Sequence, residues 1–212
     1  LEASGLKREA LVSEALRFVQ DEIRYFSASL GVSSHRPKAA EQTLAERLGD
    51  CKDKTILLVT MLEALGIDAK PALVSMFRNR GIGAYAAGHE QFDHVITRAV
   101  VGGTTYWLDA TVTGQGLELA TRGQYPYGMA LVIGGSGELE AVAPQAAHAS
   151  RIDYVQRWDF TRLDAPATMQ ATMTVSGLPA ERWRATAASS TPKQIADALA
   201  AHNDVEMEWA GK

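Results

Sequence analysis

Val12, Leu16, Val19, Ile23 and Phe26 recur at spacings of four and three, so residues 6–26 are expected to form an amphipathic helix with one core-facing stripe. Tyr25 lies near the end of that stripe. After a loop from Gly31 to Pro37, Pro37 is placed to open a short helix through Ala40, Leu44 and Leu48, with Gly49 as its stop. The next stretch differs in kind. Ile56, Leu57, Leu58, Val59, Met61, Leu62, Ala64 and Leu65 leave no polar face beyond the first turn, which marks a buried helix. Asp50 is its expected N-cap and Gly66 its left-handed stop, so Cys51 falls on the first turn.

Downstream the period changes. Pro71 to Met76 is expected to be a strand, and Asn79 to Gly88, rich in Gly and Ala, a mobile loop. Asp93–Val101 and Thr104–Ala110 flank Gly102-Gly103, the clearest hairpin signal in the chain. With those glycines as the turn, partner numbers sum to about 205, placing Asp109 opposite Ile96 and within about two residues of His94. Leu131 to Ile133 supplies another strand. Gly134-Gly135-Ser136-Gly137 is read as a turn, because no Lys-Ser/Thr pair or helix start follows it as a phosphate cradle requires. Tyr154–Phe160 and Thr168–Val175 alternate like two half-exposed strands, and Pro192–Ala201 is expected to be helical. The fold class is α+β, organised as a core over residues 1–140, a linker over 141–150 rich in Ala, Pro and Gln, and a β/α segment over 151–212 expected to be an incomplete second domain.

Composition narrows the function classes. The 212 residues can bury a sizeable core, and a net charge of −4 leaves no concentrated basic face for nucleic acid or an anionic membrane. No apolar run approaches the length of a membrane span. Leu1-Glu2-Ala3-Ser4-Gly5 carries neither a basic leader nor an apolar core, and with no initiator Met the expectation is a piece of a longer protein. A single cysteine forbids an internal disulfide and leaves the redox compartment open.

That cysteine is the candidate nucleophile. A thiol attacks an acyl carbon as thiolate, and a free pKa of about 8.5 leaves most of it protonated near neutrality. The positive end of a helix and a nearby imidazolium both favour the anion. Asp50 and Asp53 oppose it if they point inward, whereas Lys52 and Lys54 favour it. His94 is the candidate base and Asp109 the group that orients it, both on one hairpin. Asp93, adjacent to His94, points to the opposite face of a strand. His35, His89, His148 and His202 fall in loops, the linker and a helix end, and are read as structural or surface residues. A zinc site needs close-spaced ligands such as a C-x-x-C pair, which the chain lacks, so neither metal nor cofactor is expected.

Gly49-Asp50-Cys51-Lys52-Asp53-Lys54, the apolar helix ending Ala64-Leu65-Gly66-Ile67, Asp93-His94-Val95-Ile96 and Trp107-Leu108-Asp109-Ala110 together resemble the transglutaminase-like superfamily. More closely they resemble its bacterial branch, in which this core follows an N-terminal β-rich domain. The likeness runs from about Val19 to about Ile133. It implies a papain-like core, with a Cys-bearing central helix packed on an antiparallel sheet that carries His and Asp. By that match Cys51 is the nucleophile, His94 the general base and acid, and Asp109 the orienter. Tyr25 is the candidate oxyanion donor beside the Cys51 N–H. The resemblance further implies a peptide or protein amide substrate, other domains of a longer parent chain, and an exported, periplasmic setting. Hydrolysis of a peptide or isopeptide bond is the leading reading. Acyl transfer to an amine and a non-catalytic interaction module on the same fold are its rivals.

Overall fold

The computed structural model describes residues 7–27, 36–116, 118–119, 121–143, 150–160, 162, 168–199 and 201. His35, His148, His202, residues 31–35 of the expected Gly31–Pro37 loop and residues 144–149 of the expected linker lie outside them. The chain divides into two compact units, Leu1–Ala149 and Ser150–Lys212.

In the first unit, α1 (Arg8–Glu22) buries Val12, Leu16 and Val19 as the spacing requires. It ends four residues short of expectation. Ile23 is already extended, and Arg24–Tyr25 form β1, a parallel pair with β2 (Leu48–Gly49). Phe26, read as part of the stripe, is 54% exposed. Helical periodicity does not show where a chain leaves the helix when another backbone claims its amides, as Arg47 and Gly49 do here for Arg24 and Phe26. For the same reason α2 (Ala40–Glu46) is shorter than expected. Arg47, with φ of 53°, ends it rather than Gly49, and Leu48 belongs to β2.

The buried helix is α3 (Cys51–Ala64). Asp50 caps it in a reciprocal capping box, its Oδ1 accepting from the Lys52 and Asp53 N–H while Asp53 Oδ2 accepts from the Asp50 N–H. Gly49 makes the box possible, because a Cβ there would sit 2.7 Å from Asp53 Cβ. Gly66, at φ of 69°, supplies the left-handed stop.

A five-stranded antiparallel sheet of β3 (Asp68–Val74), β4 (His94–Val101), β5 (Thr104–Leu108), β6 (Gly128–Val132) and β7 (Leu139–Val142) runs in the order β5-β4-β3-β6-β7. The β4–β5 register has Thr97 opposite Leu108 and Val101 opposite Thr104, as the Gly102-Gly103 turn requires. β3 begins three residues before the expected Pro71. β7 follows the expected turn and runs into the start of the expected linker, where a four-residue strand leaves little alternation to detect. The Asn79–Gly88 loop is partly folded: Asn79–Ala84 is a 3₁₀ turn with Ile82 buried, and a second 3₁₀ turn, His89–Gln91, follows the loop.

Alternation along the strands separates two apolar clusters, one on each sheet face. On one face Ala69 pairs with Ala99, and these small side chains meet α3 and α1 through Leu57, Leu58, Leu62, Val12 and Leu16. On the other, Ala72, Val74, Ile96, Trp107, Ala130 and Val132 gather with Tyr127.

The second unit pairs β8 (Arg151–Asp159) with β9 (Thr168–Ser176) in antiparallel register, matching the two expected strands. It continues into α4 (Leu178–Ser189), which the sequence pattern did not reveal. Of its residues only Ala180 and Glu181 are buried, so no apolar stripe announces it. Residues 192–199 are helical, as expected.

Leu58 is fully buried between α1 and the sheet. Replacing it with Ala is expected to lower stability by about 2–5 kcal/mol, seen as a lower denaturant midpoint at unchanged slope.

Candidate active site

Three separate local decisions bring the predicted residues to one place. The capping box sets Cys51 on the first turn of α3, where the helix presents N–H groups and the positive end of its dipole. His94 opens β4 opposite Val74, and Asp109 follows directly on β5. Their side chains meet across the ladder, His94 Nε2 lying 2.9 Å from Asp109 Oδ2, with both residues 8% exposed. Nε2 is engaged by the carboxylate, and His94 lines the same cleft as Cys51, close enough for the thiol to contribute to the upward shift of the imidazole pKa.

Asp109 is saturated with donors. Tyr127 donates its hydroxyl to Oδ2, while the Thr111 N–H and hydroxyl donate to Oδ1 at 2.8 and 2.7 Å. The Asp109 carbonyl accepts from Gln20 Nε2 at 2.8 Å. Burial raises the Asp109 carboxyl pKa, but the hydrogen bonds and charge of His94, aided by Tyr127 and Thr111, outweigh it and hold the group below its usual range. Burial likewise lowers the His94 pKa, and hydrogen bonds to Asp109 and then Cys51 overcome it, raising the imidazole to about 10. Burial beside Asp109 moves the Tyr127 phenol far up, so it remains a donor.

The three residues differ in access. Cys51 is half-buried and, with His94, lines a cleft of about 790 Å³. Pro71, Leu73, Val95, Ile56 and Ile133 make an apolar wall, and Asp50, Lys52, His89, Glu90 and Asp93 add polar groups. His89 is 84% exposed at its rim. Of the Phe77–Gln91 segment, the His89–Gln91 3₁₀ turn borders the cleft through His89 and Glu90.

Tyr25 also lines this cleft. Its expected position in the helix stripe is corrected: it is on β1, 49% exposed, and set beside Gly49 by the parallel pairing, two residues from Cys51. Partial burial, followed by charge at Cys51, raises its phenol pKa. Asp50 and Asp53 serve as helix caps, and Lys52 pairs with Asp50. Asp93, at the cleft wall, is engaged by backbone and side chain of the neighbouring segment, accepting from Met76 N–H at 2.8 Å and from the Ser75 hydroxyl.

Sequence reasoning missed Tyr127, Thr111 and Gln20, and left the direction of Lys54 open. Gln20 had a signal, since it follows Leu16 by four on the apolar face of α1, where a polar side chain needs a partner. Tyr127 and Thr111 lie in irregular segments and had none. Among the described residues no group of three or more His, Cys, Asp or Glu is placed to hold a metal ion, and no helix is long and apolar enough to cross a membrane.

The transglutaminase-like superfamily model matches residues 3–110, just over half of the chain and a stretch containing Cys51, His94 and Asp109. The chain belongs to the transglutaminase-like superfamily. Among solved structures it is similar to a "putative protease" from Parabacteroides distasonis ATCC 8503, with a TM-score of 0.52 and 16% identity over 68% of this chain and 26% of that one. At that identity the likeness is one of fold. A "putative cysteine protease" from Cytophaga hutchinsonii matches with a TM-score of 0.38 and 18% identity over 78% of this chain and 45% of that one. No curated protein matches. This transglutaminase-like chain thus spans about a quarter and under half of the lengths of the two structures it matches.

The raised His94 pKa makes a signed prediction. Below about 6.5 His94 is charged in both folded and unfolded states and its stabilisation is fully present; as pH rises through about 10 it is lost. The stability difference between the protein and its His94→Ala variant should therefore shrink steadily between those values. An NMR titration of the ring should give a midpoint well above 6.5 that falls in Asp109→Asn.

Proposed function

We propose that this cleft performs thiol-dependent acyl chemistry on amides, most directly the hydrolysis of a peptide or isopeptide bond. One observation carries the reading: a single buried imidazole is hydrogen-bonded to a saturated carboxylate and lines one cleft together with the half-buried thiol at a helix N-terminus. An imidazolium maintained above neutrality is the charge partner that a thiolate nucleophile needs.

In this scheme the Cys51 sulfur attacks the amide carbon, forming a C–S bond as the carbonyl oxygen takes the negative charge. Asp50 draws the Lys52 and Asp53 N–H groups into the cap and its carbonyl takes that of Lys54, so the Cys51 N–H remains as the first-turn donor for that oxyanion. The Tyr25 hydroxyl, at the same mouth, is proposed as the second donor. His94 gives its proton to the departing amine, the C–N bond breaks, and a thioester remains. Water, deprotonated by His94, then attacks the thioester and releases the acid and the thiolate. Asp109 keeps the ring oriented throughout.

The apolar wall of Leu73, Val95 and Ile133 suits an apolar portion of a peptide substrate beside the scissile amide. Further domains of a longer parent chain are proposed alongside this core. The smaller unit Ser150–Lys212, which leaves Ile152 and Val155 exposed on β8 and Phe160 exposed just beyond it, is proposed to be the beginning of one.

Iodoacetamide labelling provides the test. Near pH 6 Cys51 should alkylate at least ~10-fold faster than a small free thiol, and His94→Ala should abolish the advantage. Equal rates in all three would overturn the reading. With a cleavable amide in hand, Cys51→Ala and His94→Ala should each lower turnover by roughly 10³-fold or more. Incorporation of a fluorescent amine into a glutamine donor would replace hydrolysis by transfer.

A further inference from the structure

One charged group near the site is used by no step above. Lys54, on the first full turn of α3, is completely buried, the largest fully buried side chain among the described residues. A buried ammonium ordinarily pairs with a carboxylate or loses its charge. Lys54 instead donates to two backbone carbonyls, Ile23 O at 2.6 Å and Gln20 O at 3.3 Å. These belong to the end of α1, where carbonyls have no partner within the helix and the dipole is negative.

Gln20 makes that contact consequential. Its carbonyl accepts from Lys54, while its side-chain Nε2 donates to the Asp109 carbonyl and to Gln115 Oε1, both at 2.8 Å. Residue 20 is 4% exposed. The links therefore form a chain: from Cys51 along one turn of α3 to Lys54, across to Gln20, on to Asp109 and then to His94, which lines the same cleft as Cys51.

We propose that Lys54 and Gln20 are positioning residues that lock the start of the nucleophile helix to the loop carrying Asp109, setting where His94 sits relative to Cys51. This rests on the reading of Cys51, His94 and Asp109 as the working trio. Packing alone does not explain the choice, since an apolar side chain of similar length would fill the same space without the desolvation of a cation. Burial lowers the Lys54 pKa to about 8, opposed by the charges of Asp109 and Asp21, so the ammonium is held there at a cost to folding.

Lys54→Met and Gln20→Asn separate position from stability. Lys54→Met keeps the volume and removes the donor; Gln20→Asn shortens the amide by one methylene so that it no longer spans to Asp109. In each folded variant the iodoacetamide rate of Cys51 near pH 6 should fall at least ~5-fold, and the NMR midpoint of His94 should move down by a measurable fraction of a pH unit. Lys54→Met should melt no lower than the parent, a result expected of a buried cation retained for geometry. An unchanged His94 midpoint and alkylation rate in Gln20→Asn overturns the proposal, and that variant decides alone if Lys54→Met fails to fold. The His94 midpoint reports on positioning even where Cys51 is no faster than a free thiol, an outcome that instead defeats the proposed hydrolase.

Discussion

A buried carboxylate must find donors or give up its charge, and in this protein the satisfaction of Asp109 organises the site. Its two oxygens receive the His94 ring, the Tyr127 hydroxyl and both polar hydrogens of Thr111, and its backbone carbonyl receives Gln20. These donors come from β4, from the segments on either side of residue 117, and from α1. The charge that orients the imidazole is thus the point at which helix, sheet and loop are held together.

The helix start is the second constraint. Two aspartates beside a nucleophilic thiol would repel a developing negative charge if they faced it. Here Asp50 faces the first-turn amides and Asp53 faces back to Asp50 and to the Lys38 N–H, so both carboxylates are engaged in ending and aligning backbone. Lys52 further neutralises Asp50. The same capping box demands a residue without Cβ at position 49, and the parallel pairing of that residue with Tyr25 sets Tyr25 beside the helix start at the cleft.

These arrangements divide the labour within the superfamily fold. Sheet and hairpin hold His94 and Asp109 rigidly in the interior, while Cys51 is left half-open at the cleft. Burial strengthens the electrostatic coupling of the inner pair, and access is reserved for the atom proposed to meet substrate. An acyl-transfer enzyme and a hydrolase share this geometry; they differ in whether water or an amine reaches the thioester.

The hydrophobic pattern by itself determined the apolar α3, its Asp50 cap and Gly66 stop, and the β4–β5 register, because each follows from neighbours close in sequence. That register alone placed Asp109 within reach of His94, and the Gly49–Lys54 run alone singled out Cys51. Tertiary structure decided what depends on chain segments meeting from afar. Parallel pairing with β2 pulled Arg24 and Tyr25 out of the helix that periodicity predicted and set Tyr25 on a strand at the cleft. Lys54, readable from sequence as a charge near the thiol, turned away to α1 because that helix end offered unpaired carbonyls. Tyr127 and Thr111 became partners of Asp109 from irregular stretches, where neither period nor propensity reports what a side chain will face.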